Sequence, residues 1–149
     1  FVIADGGAVT ASSTLDVGLN IVAGGGIRSV SATLGIGYDV GSGGTVTQAT
    51  SKSTGVTLNK VSGAITMNAA SLAATTTVSF QVTNSAFVIG DTVHVQMASG
   101  NASVAAYQVW SETGGVASGS FWINVRNMTA GALAEAVVIK FNIIKGRNS

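Results

Sequence analysis

A chain of 149 residues with 7 basic side chains, 6 acidic ones, a single histidine and no cysteine or proline is long enough to bury one real core. The missing cysteines exclude disulfides and thiolate metal sites. A net charge of +1, with Lys140, Lys145 and Arg147 as the sole cluster of cations, argues against a nucleic-acid partner, which needs many phosphates neutralised.

Only 9% of the residues are charged, where an ordinary globular chain has about a quarter. Twenty glycines and an abundance of Ala, Ser, Thr and Val favour strands and turns over helices. A surface made of such small residues lacks the charges that hold monomers apart, which suits a subunit of an assembly. No apolar stretch approaches the ~20 residues that cross a bilayer, so no membrane partner is expected. Nor does a charged leader followed by an apolar run suggest a signal peptide.

Side chains of a strand alternate between two faces, so period-two hydrophobicity marks strands. The first alternation is Leu15, Val17, Leu19 and Ile21, closed by Gly24-Gly25-Gly26. The second is Val30, Ala32, Leu34, Ile36 and Tyr38, closed by Gly41-Ser42-Gly43-Gly44. Successive glycines fit turns or joints, and the second cluster is the sharpest compositional break in the chain. It divides an N-terminal strand pair or arm, 1–43, from a main domain, 44–149. In the main domain Val46 opens the pattern. Val56 and Leu58 are expected to form a hairpin with Ile65 and Met67 around a turn at Lys60-Val61-Ser62-Gly63. Residues 68–74 are too few for more than a loop or a single helical turn. Strands follow at Val78, Phe80 and Val82, then at Val93, Val95 and Met97, then at Tyr107 and Val109.

The two closing runs are the strongest signals. Phe121, Ile123 and Val125 alternate with Trp122, Asn124 and Arg126. Beyond the break at residues 127–131, Val137, Ile139, Phe141 and Ile143 alternate with Val138, Lys140, Asn142 and Ile144. They read as a central strand pair, the second run being the central strand of a sandwich. Seven or eight short strands with a turn every 8–12 residues predict an all-β fold, an antiparallel β-sandwich that is jelly-roll-like.

No pattern of residues states a chemistry. His94 lacks a Gly-x-Ser-x-Gly nucleophile elbow, and Asp91, three residues away, falls on the opposite strand face. It reads as a surface or interface histidine. Glycoside hydrolysis needs two facing carboxylates, yet Asp5, Asp16, Asp39, Asp91, Glu112 and Glu135 form no paired motif. The glycines at 35, 37 and 41 miss the dinucleotide spacing and precede no helix. Asn101-Ala102-Ser103 and Asn127-Met128-Thr129 match the glycosylation sequon, a triplet that chance readily supplies here. No catalytic residue, cofactor or metal site is expected, and the chain is not read as an enzyme.

Trp110, Trp122 and Tyr107 stand out among small residues, and both tryptophans are out of phase with the apolar faces of their strands. With Val138 and Ile144 they suggest a second buried face, so Trp122, Val138 and Ile144 are the candidate subunit interface. The alternative is a sugar-stacking platform in which Tyr107, Trp110 or Trp122 touches glycan.

The segments GGTVTQATSKSTGVTLNKVSGAITMNAASLAA (43–74), VSFQVTNS (78–85) and SFWINVRNMTAGALAEAVVIKFNIIKG (120–146) resemble a β-domain near the C-terminus of many tailed-bacteriophage virion proteins. The resemblance covers about two-thirds of the chain and carries no catalytic residues. It implies a virion structural role: a capsid decoration (cement) protein on the capsid exterior, or a tail-fibre component, in either case a homotrimer. The expected partners are further copies of the chain and the major capsid protein or other virion proteins. Residues 1–40 are then the expected capsid attachment. The alternative is a tail-fibre or tailspike module that binds host-surface glycan. A small polysaccharide hydrolase is a third, weaker reading.

Overall fold

The computed structural model describes residues 35–38, 41–103 and 105–146. The chain divides into two units between Gly37 and Tyr38, and every described strand belongs to the second. The first of the two strands expected in 1–43 and most of the second lie outside the described residues; Ile36 and Tyr38, expected at the end of the second, are exposed and belong to no strand. Eight strands are described: β1 (Thr45–Thr47), β2 (Val56–Thr57), β3 (Ser62–Thr66), β4 (Thr77–Thr83), β5 (Thr92–Ser99), β6 (Tyr107–Glu112), β7 (Ser120–Asn127) and β8 (Val138–Ile144). Residues 68–74 are loop, held where Leu72 bridges to Leu133.

The strands build an all-β sandwich of two four-stranded sheets, in the orders β1-β3-β8-β5 and β2-β4-β7-β6. The chain passes from one sheet to the other at every connection except the β6–β7 hairpin. This alternation overturns three expectations. The sandwich is not purely antiparallel, because β1 pairs with β3 and β2 with β4 in parallel, while the other four pairings are antiparallel. The hairpin expected between 55–59 and 65–67 does not form. Ser62 and Gly63, taken for its turn, already belong to β3, and residues 58–61 carry the chain across to the other sheet. That crossing is fixed by Leu58 N–H donating to Thr83 O (3.0 Å) and by Asn84 Nδ2 donating to Lys60 O (2.8 Å). Third, β7 and β8 are not a bonded pair. Each is an interior strand of its own sheet, and residues 128–137 span the gap between the layers.

The two runs meet face to face instead. Phe121, Ile123 and Val125 of β7 and Ile139, Phe141 and Ile143 of β8 are all buried, with Val137 just ahead of β8. Phe121 packs edge-on against Phe141 (ring centroids 5.5 Å apart) and against Phe87 (5.7 Å). Phe80, Val82, Ile65 and Met67 complete the centre. Each of these positions has the parity that alternation assigns to an inward face, so the burial of apolar surface fixes the register of both sheets. Gly63 is needed for a packing reason. A Cβ there would stand 2.5 Å from Leu58 Cδ2 and 3.0 Å from Phe141 Cε1.

Buried polar groups tie the loops at each end of the sandwich. At one end Asn127, fully buried, donates from Nδ2 to Leu72 O (3.0 Å), Ala73 O (3.1 Å) and Gly131 O (2.7 Å). Its Oδ1 accepts from Thr129 N (2.9 Å) and Thr129 Oγ1 (2.8 Å). Lys52 is also buried, donating to Asn68 O (2.8 Å) and Glu135 O (2.6 Å). At the other end Asp91 accepts from Val88 N (2.8 Å), Gly146 N (3.0 Å) and Lys145 Nζ. A buried group without such partners costs about 1–3 kcal/mol, so these residues hold loops that apolar packing alone does not order.

Candidate functional site

With the inner faces committed to the core, recognition falls to the outer faces and the ends. The outer face of the second sheet carries Thr77, Ser79, Gln81 and Thr83 from β4, Ser120, Trp122, Asn124 and Arg126 from β7, and Gln108, Trp110 and Glu112 from β6. These positions follow from strand parity and from the pairing register. Three cross-strand rows result: Gln81–Trp122–Glu112, Ser79–Asn124–Trp110 and Thr77–Arg126–Gln108.

Trp110 and Trp122 are therefore diagonal neighbours, and each is 37% exposed. Diagonal side chains of an antiparallel pair lie about 7–8 Å apart, within mutual reach for indoles. Asn124 sits between them along the strand and across it, only 5% exposed. Its Oδ1 accepts a hydrogen bond from Ser79 Oγ (2.5 Å), while its Nδ2 has no partner among the described residues. The Ser79 hydroxyl can either donate or accept, so either orientation of the amide leaves one polar end unpaired. Gln81 Nε2 donates to Ser120 Oγ (3.2 Å) at the margin of the face.

The expected glycan contacts separate. Tyr107 shares β6 with Trp110 but has the opposite parity, and it is buried. Its hydroxyl donates to Glu135 Oε2 (2.5 Å) on the inner side. Burial first, and then the Glu135 carboxylate, push the phenol's pKa well above its ordinary value. Tyr107 is thus part of the scaffold and cannot stack with Trp110 on an outer ligand. Glu135 is held below the usual carboxylate range mainly by that hydroxyl. Burial lowers Lys52, with Glu135 partly opposing the shift.

Trp122, Val138 and Ile144 do not share a face either. Val138 and Ile144 lie on the outside of the first sheet, with Lys140 and Asn142 between them. Trp122 lies on the outside of the second. Val138 is half-buried and Ile144 is 59% exposed. The parity that pointed all three outward was right, but parity does not say to which sheet a strand belongs.

His94 projects from the outer face of the first sheet opposite Asn142, while Asp91 turns inward to its own donors. A depression of about 240 Å³ lies on the first sheet, lined by Gly43, Gly44, Ser62, Gly63, Ala64, Lys140, Phe141 and Asn142. Among the described residues no three of His, Cys, Asp and Glu gather as a metal site, and no helix is long and apolar enough to cross a membrane.

The end of the sandwich near Asp91 exposes several large apolar side chains beside the Lys145–Asp91 ion pair. Val88 and Ile89 are 50% and 55% exposed, and Ile144 is 59% exposed. Asp91 accepts from both Val88 N and Gly146 N, which brings the loop at 88–91 to the end of β8. Tyr38, 46% exposed, donates from its hydroxyl to Ile143 O at the same end.

Of these features sequence reasoning missed Asn124 and the exposed Val88 and Ile89. Asn124 shares the parity of Trp122, two residues away, but its missing partner is visible only in the fold. In comparison with known proteins the chain matches no family model, no curated protein and no solved structure.

Proposed function

We propose that the chain is a structural protein of a tailed-bacteriophage virion, a capsid decoration protein that binds the assembled shell from outside as a homotrimer. It acts by binding and not by turnover. The observation that carries this reading is the exposed apolar end formed by Tyr38, Val88, Ile89 and Ile144 on a chain in which only 9% of residues are charged. Apolar side chains gathered at one end of a sparsely charged chain, where the half-exposed Lys145 is already paired with Asp91, suit burial against another subunit. The sequence resemblance supplies the phage context, and its segments fall on β1–β4, β7 and β8. Residues 1–40 are the proposed attachment to the major capsid protein. A ligand that binds only the assembled lattice stabilises it by mass action, about 2.7 kcal/mol per site at a free concentration 100 times Kd.

Copy number per virion tests the reading, together with sedimentation of the full chain. Hundreds of copies and a trimer in solution are expected, and Ile89→Lys with Ile144→Lys shifts the trimer towards monomer. A monomer at all concentrations, or only a few copies per particle, overturns the decoration role. A second reading, a tail-fibre module that binds host-surface glycan, is favoured by the two indoles on the second sheet.

A further inference from the structure

We infer that the outer face of the second sheet holds a saccharide site built from Trp110, Trp122 and Asn124, and that its ligand is a neutral pyranose unit of a glycan. The inference deepens the glycan-binding reading and does not depend on the decoration role.

A sugar ring has an apolar face of C–H groups and an equator of hydroxyls. An indole offers a large rigid apolar plane, and two of them stand here as diagonal neighbours, each more than one-third exposed. Two large aromatic side chains on a face otherwise made of polar residues are not explained by the core, which the inward positions of β6 and β7 already fill. What surrounds them is hydrogen-bonding but nearly uncharged: Ser79, Gln81, Gln108 and Thr77, with Arg126 and Glu112 as the two charges. A phosphate-rich ligand would need clustered cations, which this face lacks. A face of amides and hydroxyls around two indoles is complementary to a neutral polyol.

Asn124 supplies the polar anchor. Ser79 holds one end of its amide on the β4 side, so the other end is directed away from Ser79, towards the β6 strand that bears Trp110. That end is buried and unpaired. A polar group in this state costs free energy until a partner arrives, so a ligand hydroxyl that reaches it gains more than one that meets a hydrated amide. Because that end of the amide is buried, a neighbouring side chain has to move aside for a ligand hydroxyl to reach it. The ring then stacks on the tryptophans while one hydroxyl bonds to Asn124.

The test uses the full chain on a bacterial glycan microarray. The glycans it retains, together with maltotriose and N-acetylglucosamine trimer, are then titrated in solution by calorimetry and tryptophan fluorescence. Binding to neutral glycans is expected, with a change in indole emission and protection of both indoles from N-bromosuccinimide. Trp110→Ala and Trp122→Ala should each weaken binding about tenfold, read well below an unfolding midpoint that is itself lowered because each indole is about two-thirds buried. Asn124→Ser should weaken binding without abolishing stacking, so the emission change persists at higher ligand concentration. Glycan binding that survives the Trp110→Ala/Trp122→Ala double variant overturns the site but leaves a glycan-binding module. Binding confined to acidic polysaccharides and lost with added salt overturns the neutral-ligand assignment. Retention of no glycan at all overturns both the site and the glycan reading.

Discussion

Replacing Asn127 by Asp changes one atom and little shape, yet it should be among the most damaging substitutions in the chain. The Asn127 amide donates to three backbone carbonyls, and its Oδ1 accepts from Thr129 N and Oγ1. Aspartate keeps the acceptor and replaces the donor with a second oxygen facing Leu72 O, Ala73 O and Gly131 O. Two of those carbonyls retain backbone donors, from Leu133 N (3.0 Å) and Thr76 N (3.3 Å), while Gly131 O can take only the single Thr129 hydroxyl proton, which Oδ1 also accepts. The cost is therefore dominated by a buried carboxylate without donors on one side, about 3–5 kcal/mol at pH 7. That is a large part of the stability of any domain of this size. Asn127→Ala loses the same bonds without the buried charge and should cost about 2–3 kcal/mol. The assay is urea unfolding followed by Trp110 and Trp122 emission, at several pH values. Burial and oxygen repulsion raise the folded-state pKa of the new carboxyl above its unfolded value of about 3.9, so the folded state binds the proton more readily. The deficit relative to the wild-type chain is full above that raised pKa and shrinks as pH falls through it. An Asp variant as stable as wild type at pH 7, or a deficit that does not shrink on acidification, refutes the assignment of Asn127 as the donor hub.

Acid should destabilise the wild-type chain through two other carboxylates. Burial alone would raise Asp91, but hydrogen bonds from Lys145, Val88 and Gly146 outweigh it and hold the group below 3.8, and Glu135 is held below 4.5. Their stabilisation is complete above those unfolded-state values and is lost as pH falls through the lower folded ones. Asp91→Asn should lower the urea midpoint at pH 7 and flatten its decline below pH 4; an unchanged acid limb would contradict this. Gly63→Ala should destabilise by about 1–3 kcal/mol, because its methyl group meets Leu58, Phe141 and the Gly44 carbonyl. Combining it with Leu58→Ala should recover part of that loss, and strict additivity would show that the Leu58 contact is not the cause.

The strands and their inward residues were legible in the sequence because burial imposes a period of two. Every inward position from Phe121 to Ile143 follows from alternation. Neighbours were not legible. The same pattern permits β7 to pair with β8 or to face it across the core, and only long-range register decides. Short edge pairs such as β1 with β3 carry too few residues to leave a signal of parallel order. Tyr107 and Trp110 lie three residues apart and so on opposite faces, which parity alone does disclose. Lys52 gave no sign of burial, since its environment comes from Asn68 and Glu135, residues remote along the chain. The unpaired end of Asn124 is likewise a property of three strands at once.

The passage of the chain from sheet to sheet at nearly every connection also sets the order in which it can fold on the ribosome. The interior strands of the two sheets include β7 and β8, the last described strands to be synthesised. Until they emerge, β3 and β5 lack the strand that joins them, and so do β4 and β6. Until then only the short β1–β3 and β2–β4 pairs can form, and most inward apolar faces have no complete layer to close on. Topologies dominated by such distant pairings fold slowly and are open to aggregation while they wait. A sparsely charged nascent chain has little to oppose that. Yield during synthesis should thus depend on temperature and chaperone supply more steeply than the stability of the finished sandwich does.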